Sequence, residues 1–150
     1  MLKLLSFMTV IRFVATEWGC YSLVVFLSVL AKAVIPVMTG GLPGPIDLHW
    51  IPLYALNFGG LLALVCLPGD VTLRWAMISF GPRARQIVPI TISVTAFEIW
   101  DKTSRSWDGG TDRIILSICA VAVAGLLAGS LRSWIRRPRR NELDLDLVFR

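Results

Sequence analysis

Histidine is almost missing. His49 is the single one in 150 residues, and one imidazole cannot build a histidine-based metal centre. Cysteine is scarce as well. Cys20, Cys66 and Cys119 each stand alone inside an apolar run, with no C-x-x-C spacing, so neither paired zinc ligands nor a disulfide framework is written in the chain. Three such thiols read as small hydrophobes. A serine-nucleophile motif and a glycine-rich phosphate loop are also absent. Nothing in the sequence asks for a cofactor or resident metal, and the absence of a catalytic motif leans away from an enzyme without deciding whether a reaction is catalysed. The deepest shortage is of polar surface. The residues are 55% apolar and the mean hydropathy is +0.69. One water-soluble domain of this length cannot hide that much apolar area, whereas a lipid bilayer accepts it.

The charge is +5, but its placement argues against a nucleic-acid partner. Basic residues sit in short clusters between apolar runs, the distribution that orients membrane helices. The sequence therefore predicts an all-α membrane protein of four transmembrane helices, forming a single membrane domain. Spans are expected at about 18–38, 48–67, 86–100 and 113–134, with a basic tail over 135–150.

Residues 1–16 place Leu4, Leu5, Met8, Ile11 and Val14 at helical spacing. This segment reads as an interfacial helix on the membrane surface or as the start of the first span. No cleavable signal is expected, because Arg12 and Glu17 interrupt the apolar stretch. Lys32, inside the first span, either snorkels outward or pairs with a carboxylate of another helix. The segment TGGLPGPID over 39–47 is a loop, since its glycines and prolines cannot continue a helix. Pro68, Gly69 and Asp70 are expected to end the second span, and Asn57 is the one strongly polar residue within it.

The third apolar run, Ile87–Trp100, is the weakest, with 14 residues where a spanning helix wants about 20. Its alternation of Thr91, Ser93 and Thr95 with Ile90, Ile92 and Val94 is strand-like. A lone strand in lipid would leave its backbone groups unpaired, so a helix is expected. That helix carries Thr91, Thr95 and Glu98 along one polar stripe facing its neighbours. The last span contains Gly125 and Gly129 in a GxxxG element, which suits close helix packing within one chain or between copies.

The loops at 39–47 and 101–112 carry few bases. Residues 69–86 and the C-terminal flank are arginine-rich. Both termini are thus expected in the cytoplasm, in a multi-pass protein of the inner (plasma) membrane. On the outer face, Glu98 closes the third span and Asp112 opens the fourth, with Arg105, Trp107 and Asp108 between them. Asp47, His49 and Tyr54 lie on the same side. Together these suit contact with a polar head group or a lipid-linked sugar. Plainer roles compete: Asp112 as a partner of the helix dipole, Glu98 as a charge at head-group level, His49 as a solvated side chain.

The stretch FEIWDKTSRSWDGGTDRIILSICAVAVAGLLAG, residues 97–129, resembles the C-terminal half of the VanZ-like family. In order, the matching features are Glu98, Arg105-Ser106-Trp107-Asp108, Asp112, Gly125 and Gly129. Asp47, His49 and Tyr54 agree in outline. Leu48 follows Asp47 where the family often carries lysine. Ser117 stands where an asparagine is usual, and the glutamine that often follows the glutamate is missing. The resemblance implies a four-span cell-envelope protein, with some relatives linked to resistance to glycopeptide antibiotics. Its ligand-binding residues would be Glu98, Arg105, Asp108, Asp112, His49 and Asp47, and its ligand a lipid head group, glycolipid or glycopeptide. Two other readings stand beside it. One is an oligomeric membrane effector or holin-like pore, motivated by the GxxxG helix and the arginine tail. The other is an accessory subunit of a larger membrane complex.

Overall fold

The structure is a computed structural model describing residues 2–38, 50–104 and 111–136, side chains at 2–6, 8 and 35–38 excepted. Four helices follow one another: α1 (Leu2–Met38), α2 (Ile51–Ala76), α3 (Ala84–Ser104) and α4 (Thr111–Ile135). Three contain stretches long and apolar enough to cross a membrane: Thr9–Val34, Ile51–Ala76 and Thr111–Ile135, with mean hydropathies of 1.6, 1.8 and 2.5.

The helices form a ring. Each packs against its chain neighbours, and α1 closes on α4. Neighbours are antiparallel. Along α3 and α4 the register is regular: Gly129 faces Ile87, Gly125 faces Thr91, and Ser117 faces Glu98. A methyl group added at Gly129 would lie 2.6 Å from the Ile87 Cα, and one at Gly125 would lie 2.9 Å from the Thr91 Cα. The GxxxG face is therefore filled by α3 of the same chain, whose backbone approaches because no side chain intervenes. Gly59 plays the same part between α2 and α1, where an added carbon would meet Ser22 Cα at 2.5 Å. Inside the ring, Tyr21, Val24, Cys66, Ile90, Val94, Val121, Ala124 and Ala128 form the apolar core.

One boundary differs from expectation, and the N-terminal segment follows one of its two readings. Residues 2–38 are one continuous helix, so the N-terminal segment is joined to the first apolar stretch without the break an interfacial helix would need. Nothing between Arg12 and Trp18 interrupts the ladder, and the Thr16 hydroxyl satisfies itself on the Arg12 carbonyl at 2.7 Å. The boundary that differs is that of α2, which does not end at Leu67 but runs through Pro68, Gly69 and Asp70 to Ala76. An internal proline costs about 3 kcal/mol in an ordinary helix. Here continuation has a return: only a helix puts Asp70 and Arg74 on one face, where Arg74 Nε donates to Asp70 at 3.1 Å. The strand-like run 87–100 is helical, lying within Ala84–Ser104.

Candidate functional site

Charged groups meet inside the ring at both of its ends. At one end, Glu98 on α3 is buried. Its Oε1 accepts a hydrogen bond from the Ser117 hydroxyl of α4 at 2.7 Å. It also lies 3.4 Å from Lys32 Nζ on α1 and 3.7 Å from Lys102 Nζ one turn along α3. Lys32 is 43% exposed and Glu98 8%, so the cation reaches inward from the rim to a sheltered carboxylate. Of the two readings of Lys32, the structure adopts the ion pair. This end is the mouth of a cavity of about 400 Å³. All four helices line it: Val24 and Ser28 from α1, Phe58 and Leu62 from α2, Val94 from α3 and Val121 from α4. Lys32, Glu98 and Asp101 stand at its charged rim. Its volume falls within the range of small-molecule sites, about 300–1,000 Å³.

The expected site residues divide accordingly. Glu98 lies in the cavity wall. Asp112 is exposed in the first turn of α4. Asp47, His49, Arg105 and Asp108 lie outside the described residues. Tyr54 lines the cavity and stacks on Phe58 with ring centroids 4.1 Å apart. Gly125 and Gly129 form no part of the cavity wall; they hold α3 against α4. Asn57 is spent locally, donating to the Leu53 carbonyl at 3.0 Å. Among the described residues, no cluster of three or more potential metal ligands occurs.

The opposite end holds a larger network. Glu17 of α1 and Asp70 of α2 are buried and face Arg74, Arg132 and Arg136. Arg74 donates to both oxygens of Glu17 at 3.0 Å and also bonds Asp70. Arg132 is fully buried, 3.0 Å from Asp70 Oδ2 and 3.2 Å from Glu17 Oε2. Arg136 donates to Glu17 at 2.6 Å and lies over the Phe13 ring, 5.1 Å from its centroid. The Tyr21 hydroxyl donates to Asp70 at 3.2 Å. Three guanidiniums thus enclose two carboxylates. Buried charges of this kind hold only when each is paired.

Sequence reading missed this network because its members are far apart in the chain, and each has an ordinary explanation alone. Glu17 looked like an interruption, Asp70 like a helix end, and the arginines like topology signals. A trace was nonetheless present. Glu17 and Tyr21, Asp70 and Arg74, and Arg132 and Arg136 are all spaced i, i+4, which puts each pair on one helix face.

The fold and these two sites define a class: an all-helical bundle with three helices able to cross a membrane, closed by ion pairs at both ends. No family model, no curated protein and no solved structure matches the chain.

Proposed function

We propose that this chain is a four-span, VanZ-like cell-envelope protein that holds an amphiphile. The apolar part of the ligand occupies the four-helix cavity, and its polar head group sits at the Lys32–Glu98–Lys102 mouth. One observation carries this reading: an apolar cavity lined by every helix ends at a charged rim. Apolar walls take a chain or ring system. Two ammonium groups and two carboxylates, Glu98 and Asp101, offer hydrogen bonds and both signs of charge to a zwitterionic, glycosyl or peptidic head group. Glycolipids, lipid-linked sugars and glycopeptide antibiotics share that chemistry.

Two features support the VanZ-like reading. Glu98 and Ser117 are residues it aligns with the family's glutamate and with its usual asparagine, and they bond each other here. The glycines it aligns are those against which α3 packs.

Four crossings are supported by α3 keeping register with α4 from Ile87 to Glu98. Its 21 residues span about 30 Å at 1.5 Å per residue, the hydrocarbon thickness. A helix of that length, laid along a neighbour apolar enough to cross a membrane, is long enough to cross beside it. Arg74, Arg83, Arg85, Arg132 and Arg136 cluster at the Glu17 end. That clustering supports a cytoplasmic Glu17 end and an outer Glu98 end.

The test is a cell carrying only Glu98→Gln. Retained membrane abundance with lost glycopeptide tolerance or altered envelope phenotype is the expected result. Wild-type behaviour at normal abundance overturns the reading.

A further inference from the structure

A second groove lies beside the cavity. It runs between α2 and α3, has a volume of about 680 Å³, and is lined by Val65, Thr72, Ile92, Ala96, Phe97 and Trp100 among others. Ile92, Ala96, Thr72 and Trp100 are exposed, so the groove opens on the outer flank of the ring. Val65 and Phe97 line both this groove and the central cavity. They stand at the partition between the two, Phe97 half-buried and Val65 62% exposed on the flank. The groove's walls are almost wholly hydrocarbon, and among the described residues no charged side chain lines it.

We propose that the ligand reaches the cavity sideways from the bilayer. A lipid acyl chain occupies the α2–α3 groove and passes inward between Val65 and Phe97. This rests on the amphiphile reading above and adds its route. The occupant is an acyl chain because the groove lies along helix α2, which is apolar enough to cross a membrane, and what meets the flank of such a helix is hydrocarbon. The route also avoids a cost. A ligand entering from water through the charged mouth would carry its chain past Lys32 and Glu98. A ligand entering laterally keeps the chain in hydrocarbon throughout while its head stays at the rim.

Gly69 and Ser93 allow a direct test. The Ser93 hydroxyl lies 3.7 Å from where a side-chain carbon at Gly69 would stand, so cysteines at both positions fall within disulfide reach. In a chain whose own three cysteines are replaced by alanine, Gly69→Cys with Ser93→Cys staples α2 to α3 across the groove. The protein is reconstituted in phosphatidylcholine vesicles. A phosphatidylglycerol with a diazirine-tipped acyl chain is then supplied from donor vesicles and photolysed, and labelled residues are mapped by mass spectrometry.

The expected result is labelling of Val94, Val121 or Leu62 in the reduced protein, its loss on oxidation, and its return with dithiothreitol. Labelling of Ile92 or Trp100 persists in both states. Phe97→Trp, which fills the partition without a crosslink, reduces interior labelling in the same way. Undiminished interior labelling of the oxidised protein overturns the lateral route but leaves the cavity reading standing. No interior labelling in either state overturns both. Failure of the cysteines to pair overturns the α2–α3 approach on which the route depends.

Discussion

Arg132 of α4 lies 3.0 Å from Asp70 of α2 in the interior, although these two helices sit across the ring from each other. Lys32 and Glu98 make the corresponding diagonal contact between α1 and α3 at the other end, at 3.4 Å. Ring neighbours pack through small residues and apolar side chains, and Glu17 of α1 adds ion pairs to Arg74 of α2 and Arg132 of α4. The diagonals are spanned by long charged ones. Each end of the bundle is thus tied by an interaction whose partners are costly to leave alone in a low-dielectric interior.

Arg132→Met should be strongly destabilising, because it leaves Asp70 and Glu17 with fewer cations while both stay buried. Removing one member of a buried ion pair typically costs about 3–5 kcal/mol. Adding Asp70→Asn to it should cost less than the sum of the two single changes, since the pair is coupled. Thermal unfolding of the four proteins in mild detergent gives the coupling directly. Strict additivity would show that the contact carries no energy.

Gly129→Ala should separate α3 from α4, because its methyl group would stand 2.6 Å from Ile87 Cα. Overpacking of this kind costs about 1–3 kcal/mol. Gly19→Ala is the control. Nothing lies within 4 Å of a side chain there, and replacing a mid-helix glycine by alanine contributes about 0.5–1 kcal/mol of stability. Opposite shifts of the unfolding midpoint are expected, and equal shifts would contradict the packing.

Ser117→Ala should weaken the Glu98 site without unfolding the bundle. It removes one hydrogen bond to a charged acceptor, worth about 1.5–3 kcal/mol. Ser117→Asn restores a donor and should recover function. Asp112→Ala, at an exposed position, should leave stability within about 0.5 kcal/mol. Any phenotype from Asp112→Ala would therefore report on ligand contact rather than folding.

The proposed crossing of α3 can be tested at its two ends. Single cysteines at Ser79 and Ser104, in a background without the native thiols, should react with a membrane-impermeant maleimide from opposite faces. Labelling from the same face would remove α3 from the set of spans.

The apolar composition, the spacing of basic clusters and the backbone hydrogen-bond requirement in lipid lead from the sequence alone to four helices, including the strand-like run 87–100. These are local or additive properties, so they survive without knowledge of the fold. Glu98 could be singled out because it closes an apolar run whose polar stripe needed a neighbour. What that neighbour is, Ser117 and Lys32, depends on helices 19 and 66 residues away.

The continuation of α2 past Pro68 was not legible. Local propensity favours a stop there, and the compensation comes from Asp70 meeting Arg74, Arg132 and Tyr21. The same is true of the whole inner network. Each i, i+4 pair is visible in the chain, but only the ring brings three such faces together. A proline and four charges inside apolar helices, with Arg136 just past the end of α4, are locally unfavourable, and pairing across helices is what makes them stable.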